Sequence, residues 1–213
     1  MKFSKLLAAI YFKKMAYRDF KLSDIEAKFG ITSQFKYFFD KEKIKKVMPS
    51  QLLLSNLADA ELVPLTTEKA LSERIISPVL AEIRRNNKDK IQLFSGEIIN
   101  ADMKQGLNGE IDFLFTRKPN APDPQAPIVS VTEAKIGKLD KAIPQAAAQM
   151  IGARVFNKNH NEAIDTIYGT ITDGNVWRFL LLEKNTIWID YSRYSISEMP
   201  ILLGVFQEIV DFF

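Results

Sequence analysis

Gly109-Glu110-Ile111-Asp112-Phe113-Leu114-Phe115 and, twenty residues on, Val129-Ser130-Val131-Thr132-Glu133-Ala134-Lys135 are the two stretches whose reading decides the fold. Both are apolar, β-branched and aromatic runs broken by acids, the composition of strands. Side chains alternate across a strand, so Glu133 and Lys135 share one face, together with Val129 and Val131. Glu110 and Asp112 likewise share a face, with Ile111, Phe113 and Phe115 on the reverse. Charges at the end of a buried strand are costly unless paired with each other or with a cation. The same residues therefore admit either a Lys135–Asp112 salt bridge or a site for a hard divalent cation.

Working outward, Ile91 to Ile99 is expected to form the strand before this pair, and Leu71 to Arg85 a helix. Ile75, Ile76, Val79, Leu80 and Ile83 make its apolar stripe, Ser72 or Thr67 its cap, and Pro78 a kink or a true start. Arg117 to Pro127, with Asn120-Ala121-Pro122-Asp123-Pro124, is too proline-rich to pair and reads as an exposed loop between two hairpin strands. Leu139 to Asn157 reads as a helix that lies close on a sheet, because Ala142, Ala146, Ala147, Ala148, Gly152 and Ala153 are small; Pro144 falls in its first turn. Ile164 to Thr172, Val176 to Leu182 and Thr186 to Asp190 form a meander turned at Asp173-Gly174-Asn175 and Lys184-Asn185. A last helix opens at Ser197.

Towards the N-terminus, Leu6, Leu7, Ile10 and Tyr11, then Phe35, Phe38 and Phe39, recur at spacings of three and four. These predict helix stripes, with stops at Gly30 and Pro49-Ser50. Residues 1–66 thus read as a helical extension and 67–213 as the core, a mixed central sheet flanked by helices.

Composition bounds the function. The 213 residues are 46% hydrophobic and 26% charged, ordinary for a globular chain, with no cysteine for disulfides or thiolate metal sites. No apolar run reaches the ~18 residues of a membrane span, and Met1 to Ala9 is too short and too soon followed by Lys13 and Lys14 for a secretory signal. A cytoplasmic home without a membrane partner is the expectation. Net charge is +3, but residues 1–50 hold twelve Lys/Arg against five Asp/Glu and the remainder seventeen against twenty-one. A basic arm beside a slightly acidic body suits a polyanion, with Lys41, Lys43, Lys45, Lys46 and Arg84, Arg85, Lys88, Lys90 as candidate phosphate contacts or plain solvated helix ends. The one histidine, His160, lies in a polar stretch, so histidine-based chemistry is not expected. Gly106-Leu107-Asn108-Gly109 lacks the lysine and helix of a nucleotide loop.

Phosphodiester hydrolysis needs oxygen ligands for a hard cation, a group that orients water, and positive charge near phosphorus. Asp112 and Glu133 supply carboxylates, the Ala134 carbonyl lies between the acting side chains, and Lys135 supplies the positive charge. The succession helix with Glu73, Asp112 on one strand, Glu133-Ala134-Lys135 on the next and Gln145 on the following helix resembles the PD-(D/E)XK nuclease superfamily. Ser72-Glu73 with Ile76 and Pro78, Phe94-Ser95-Gly96-Glu97, Gln145 through Met150 with Phe156-Asn157, and Tyr168-Gly169-Thr170 through Trp177 bring it close to uncharacterised cyanobacterial-type members. The likeness covers residues 68–192; Ile111-Asp112 stands where that family has Pro-Asp.

The resemblance implies a restriction-endonuclease-like α/β fold and a Mg²⁺-dependent endonuclease acting on DNA, with Mn²⁺ able to substitute. It implies Asp112, Glu133 and the Ala134 carbonyl as metal ligands, with Glu73 as an extra acid. Lys135 would position the water, and Gln145 would support it or bind nucleic acid. Glu97, Glu110 and Gln149 are secondary candidates. A catalytically inactive module binding nucleic acid or protein on the same fold is the alternative. A homodimer through the aromatic N-terminal half is a further, structural option.

Overall fold

The computed structural model describes residues 15–213, so the stripe read over Leu6, Leu7, Ile10 and Tyr11 lies outside the described residues. In chain order come α1 (Leu22–Phe29), β1 (Thr32–Lys36), α2 (Gln51–Glu61), α3 (Glu68–Leu71), a π-helical turn (Ser72–Ile76) and α4 (Ser77–Asn86). The strands β2 (Gln92–Ile98), β3 (Glu110–Thr116) and β4 (Ile128–Ala134) follow, then α5 (Ile143–Asn159). The chain closes with β5 (Ile167–Thr172), β6 (Val176–Glu183), β7 (Thr186–Asp190), the short β8 (Tyr194–Ser195) and α6 (Met199–Phe212).

The strands form one mixed sheet in the order β1-β7-β6-β5-β4-β3-β2, with β8 added on β6. Only β4–β5 and β1–β7 run parallel. A parallel neighbour demands a crossover, and α5 is the one joining β4 to β5. One sheet face is covered by α5 together with Tyr17, Phe20, Ile25 and Ile31 from the N-terminal stretch. The other is covered by α4, α6 and Phe39, Ile44 and Leu53. The fold is therefore mixed α/β, with helices on both faces of a large sheet. Among the described residues no helix is long and apolar enough to cross a membrane.

Small residues place α5. Ala146, Ala147, Ala148 and Ala153 are fully buried, Gly152 takes the Tyr17 ring against its backbone, and Gly169 of β5 faces Met150. Pro144 sits in the first turn, where its missing N–H costs nothing. At the far end the Asn157 amide accepts the Ile128 N–H and donates to the Ile128 carbonyl, both at 2.7 Å, tying α5 to the start of β4.

Two readings are corrected. Phe35, Phe38 and Phe39 do not form a helical stripe: Thr32–Lys36 is a strand, paired in parallel with β7. Without it β7 would present an open ladder of backbone groups, and that pairing outweighs the spacing of three aromatics. Val129 does not share a face with Glu133. The β3–β4 register slips between Phe115 and Thr116, so Val129 is an extra, bulged residue that packs with Phe113 and Phe115, while Ile128 and Val131 stay in the first core. Ile111 also leaves Phe113 and Phe115 for the first core.

The helix preceding β2 is interrupted. Thr67 caps α3, its Oγ1 accepting the Ala70 N–H at 3.1 Å. The wide turn Ser72–Ile76 then leads into Pro78, which has no N–H to continue the ladder. On the same face α6 comes so close to the chain at 44–45 that a Cβ on Gly204 would lie 2.5 Å from both Ile44 Cγ2 and the Lys45 carbonyl oxygen. A carbonyl cannot yield as a side chain does. Gly204→Ala is therefore expected to lower stability by about 1–3 kcal/mol in urea unfolding; an unchanged midpoint would refute this close approach.

Candidate active site

The site lies where β3 and β4 part. Their ladder ends at the pair Phe113–Thr132. Beyond it the Asp112 carboxylate, not a backbone carbonyl, accepts the Ala134 N–H at 2.7 Å. Within a strand the N–H and C=O of one residue point to the same edge, so the Ala134 carbonyl also faces the fork that Asp112 occupies. Its neighbours Glu133 and Lys135 are turned to β5 through the backbone, with the Lys135 N–H donating to Thr172 at 2.8 Å.

Glu133 is only 3% exposed. Its Oε2 accepts from Gln149 Nε2 of α5 at 2.7 Å. Burial, and secondarily the charge of Asp112, push its carboxyl up to about 8, against the easing effects of the Gln149 bond and Lys135. Burial also raises Asp112; the Ala134 N–H opposes this, while Glu110 and Glu68 add to it. Asp112 thus raises Glu133, as a like charge in a poorly solvated place does.

Lys135 does not bridge to Asp112. Its Nζ lies 3.2 Å from Glu68 Oε1, and the same oxygen is 3.4 Å from the Ile136 N–H. Glu68 opens α3, and its charge acts on both Asp112 and Glu133. A cleft of about 410 Å³ runs beside the fork, lined by Asp112, Ser95, Gly96, Glu110 and the α3 residues Glu68 and Lys69 with Ser72 and Glu73 of the π-turn. Gly96 holds φ +69° there, a conformation that favours glycine.

The sequence-derived candidates sort as follows. Asp112 reaches the Ala134 N–H, and the charges of Asp112 and Lys135 both act on Glu133. Glu73 lines the same cleft but extends to solvent, 3.8 Å from Lys69. Gln145 is half-buried one turn before Gln149, and it is Gln149 that meets Glu133. Glu68 went unnoticed in the sequence; only its place at the start of α3 against the end of β4 reveals it. Several expected phosphate contacts are instead held internally: Lys41 by Glu198 at 3.0 Å, Lys43 by Asp40 at 2.9 Å, Lys90 by Asp211 at 2.6 Å, and Arg85 by Glu82. His160 stacks on Phe156 at the far end of α5.

Two carboxylates and a main-chain carbonyl are an all-oxygen donor set, with both carboxyls raised chiefly by burial and in spite of the charge of Lys135. That fits a hard divalent cation, which keeps several waters or phosphate oxygens in its shell. Among the described residues no three His, Cys, Asp or Glu side chains form a metal-holding group. The remaining ligands would have to come from main chain, water and substrate. No protein-family model matches the chain, and no curated protein matches it.

Proposed function

We propose that this protein is a divalent-metal-dependent nuclease of the PD-(D/E)XK, restriction-endonuclease-like kind, hydrolysing phosphodiester bonds in DNA. The observation that carries the proposal is Asp112 set in the fork of β3 and β4 on the Ala134 N–H, beside a buried Glu133 on which the charges of Asp112 and Lys135 both act. The helix–strand–strand–strand–helix–strand succession within a helix-flanked mixed sheet agrees with that fold family.

Asp112, Glu133 and the Ala134 carbonyl would hold Mg²⁺, or Mn²⁺ in its place. A bound cation of this kind supplies Lewis-acid polarisation of a phosphoryl oxygen and a water that ionises more readily. The chain supplies the rest. Gln149 fixes the Glu133 rotamer, and Glu68 holds Lys135 at the mouth of the cleft. Lys135 orients the attacking water and meets the charge that grows on phosphorus. Glu73 on the cleft wall and Gln145 at the start of α5 are assigned to substrate contact.

A cleavage screen over plasmid, linear and single-stranded DNA and RNA tests the reading. Products should form with Mg²⁺ or Mn²⁺ and cease with chelator, and Lys135→Ala should slow cleavage by about 10²-fold or more. No cleavage, joined to no divalent binding in the millimolar range by calorimetry, would leave the inactive binding module instead.

A further inference from the structure

The rim of the sheet that carries Glu133 continues away from the fork and ends in an exposed aromatic cluster. Glu133 of β4 pairs with Ile171 of β5, and Ile171 with Arg178 of β6, so the three lie in one row on one face. Beyond Arg178 the rim passes the end of β7 and reaches β1, where Phe35 lies opposite Ile189 and the Tyr191 N–H donates to the Lys36 carbonyl. Four strand spacings separate β4 from β1, about 19 Å.

At that end Phe35, Tyr37 and Tyr191 are 48%, 71% and 53% exposed. Tyr191 lies between the other two rings, with centroids 5.2 Å from Phe35 and 5.0 Å from Tyr37. Three large rings left in water and held against each other are costly for a solvated edge strand, which usually carries charge. Phe38 and Phe39 from the same stretch turn inward, so the exposure of Phe35 and Tyr37 is selective.

Between fork and rings the rim carries Arg178, Arg193, Lys138 and Lys141 against Asp140 and Asp173. The Arg178 guanidinium stands 5.8 Å from the Phe35 ring, and Asp140 holds it at 2.7 Å and Arg193 at 3.1 Å. Arg178 is buried, and among the described residues its Nε meets no hydrogen-bond partner. Next to these, a cleft of about 490 Å³ has Lys138, Asp140, Lys141, Asp173 and Arg193 as its charged lining, starting two residues after Lys135.

From this we infer a binding track for a single-stranded nucleic acid. Its phosphates follow the cleft by Lys138 and Lys141, and its unpaired bases stack on Phe35, Tyr37 and Tyr191. The ligand class follows from the two chemistries present along one rim: lysines lining one cleft and open aromatic faces, which serve every base alike. The inference rests on the hydrolase reading for its substrate class and extends it: the preferred substrate has an unpaired segment reaching a few nucleotides from the scissile phosphate.

Fluorescence anisotropy with labelled oligo-dT, in chelator and low salt, reads the track without cleavage. Wild type should bind, and Tyr37→Ala with Tyr191→Ala should weaken binding about tenfold or more, while Tyr37→Phe with Tyr191→Phe should bind as wild type. Both tyrosines are exposed, so circular dichroism should show the fold intact. Equal binding by the alanine pair overturns the track. So does a wild type that binds no oligonucleotide but is a dimer by light scattering, broken by the alanine pair, since the rings then seal a second copy along the β1 edge. Binding in chelator without cleavage under any cation would keep the track and remove the hydrolase; cleavage with ring-independent binding would do the reverse.

Discussion

Glu133→Gln is expected to abolish cleavage while making the metal-free protein more stable at pH 8. The amide matches the carboxylate in shape and can still meet Gln149, but offers no charge to a cation. Cleavage should fall by on the order of 10³-fold or more, the several kcal/mol that a Lewis acid supplies. Stability moves the other way. The Glu133 carboxyl goes from an ordinary 4.5 to about 8 on folding. Between those values the folded chain keeps a proton that the unfolded chain has released, so stability is full below about pH 4.5 and declines as pH rises towards 8. The slope is up to about 1.4 kcal/mol per pH unit. Asp112, raised in the same direction, adds to the decline. Melting curves across this window should therefore fall for the parent and stay flatter for the variant. Added Mg²⁺ should raise the parent's midpoint at pH 8 and leave the variant's unmoved. Parallel pH profiles would contradict a buried, repelling pair of carboxylates.

Asn157→Leu is expected to cost about 3 kcal/mol or more, the largest stability loss foreseen for a single polar residue. Asn157 is fully buried, and its amide satisfies both the N–H and the C=O of Ile128. Leucine keeps the volume and leaves two main-chain groups buried without partners, each worth about 1–3 kcal/mol. The loss acts on the first residue of the strand that carries Glu133, so residual activity per folded molecule should fall as well. Denaturant unfolding checks the first effect and active-site titration the second. A midpoint within experimental error of the parent would mean that water replaces the amide.

The strands around the fork, the loop at Arg117–Pro127, the crossover helix with its early proline and the meander could all be read from period, turn residues and small side chains. These are local signals: alternation fixes a face, and a proline removes a donor, wherever the chain lies. For the same reason Asp112, Glu133 and Lys135 could be assigned to neighbouring strand ends before any coordinates. Thr32–Lys36 escaped because a short exposed strand has no buried face to impose a period of two, and only the open edge of β7 makes it one. Val129 escaped because a bulge is a property of two strands in register, not of one.

By itself, then, the amino-acid order determined which segments are strands around the site and which acids end them. Partners across the fold were decided only in three dimensions. Lys135 pairs with Glu68, Gln149 rather than Gln145 meets Glu133, and Phe35, Tyr37 and Tyr191 gather at one rim. Periodicity specifies where a side chain points from its own backbone. What it then touches depends on how closely two elements pack, and that distance is set by the small residues and buried bonds of the whole molecule.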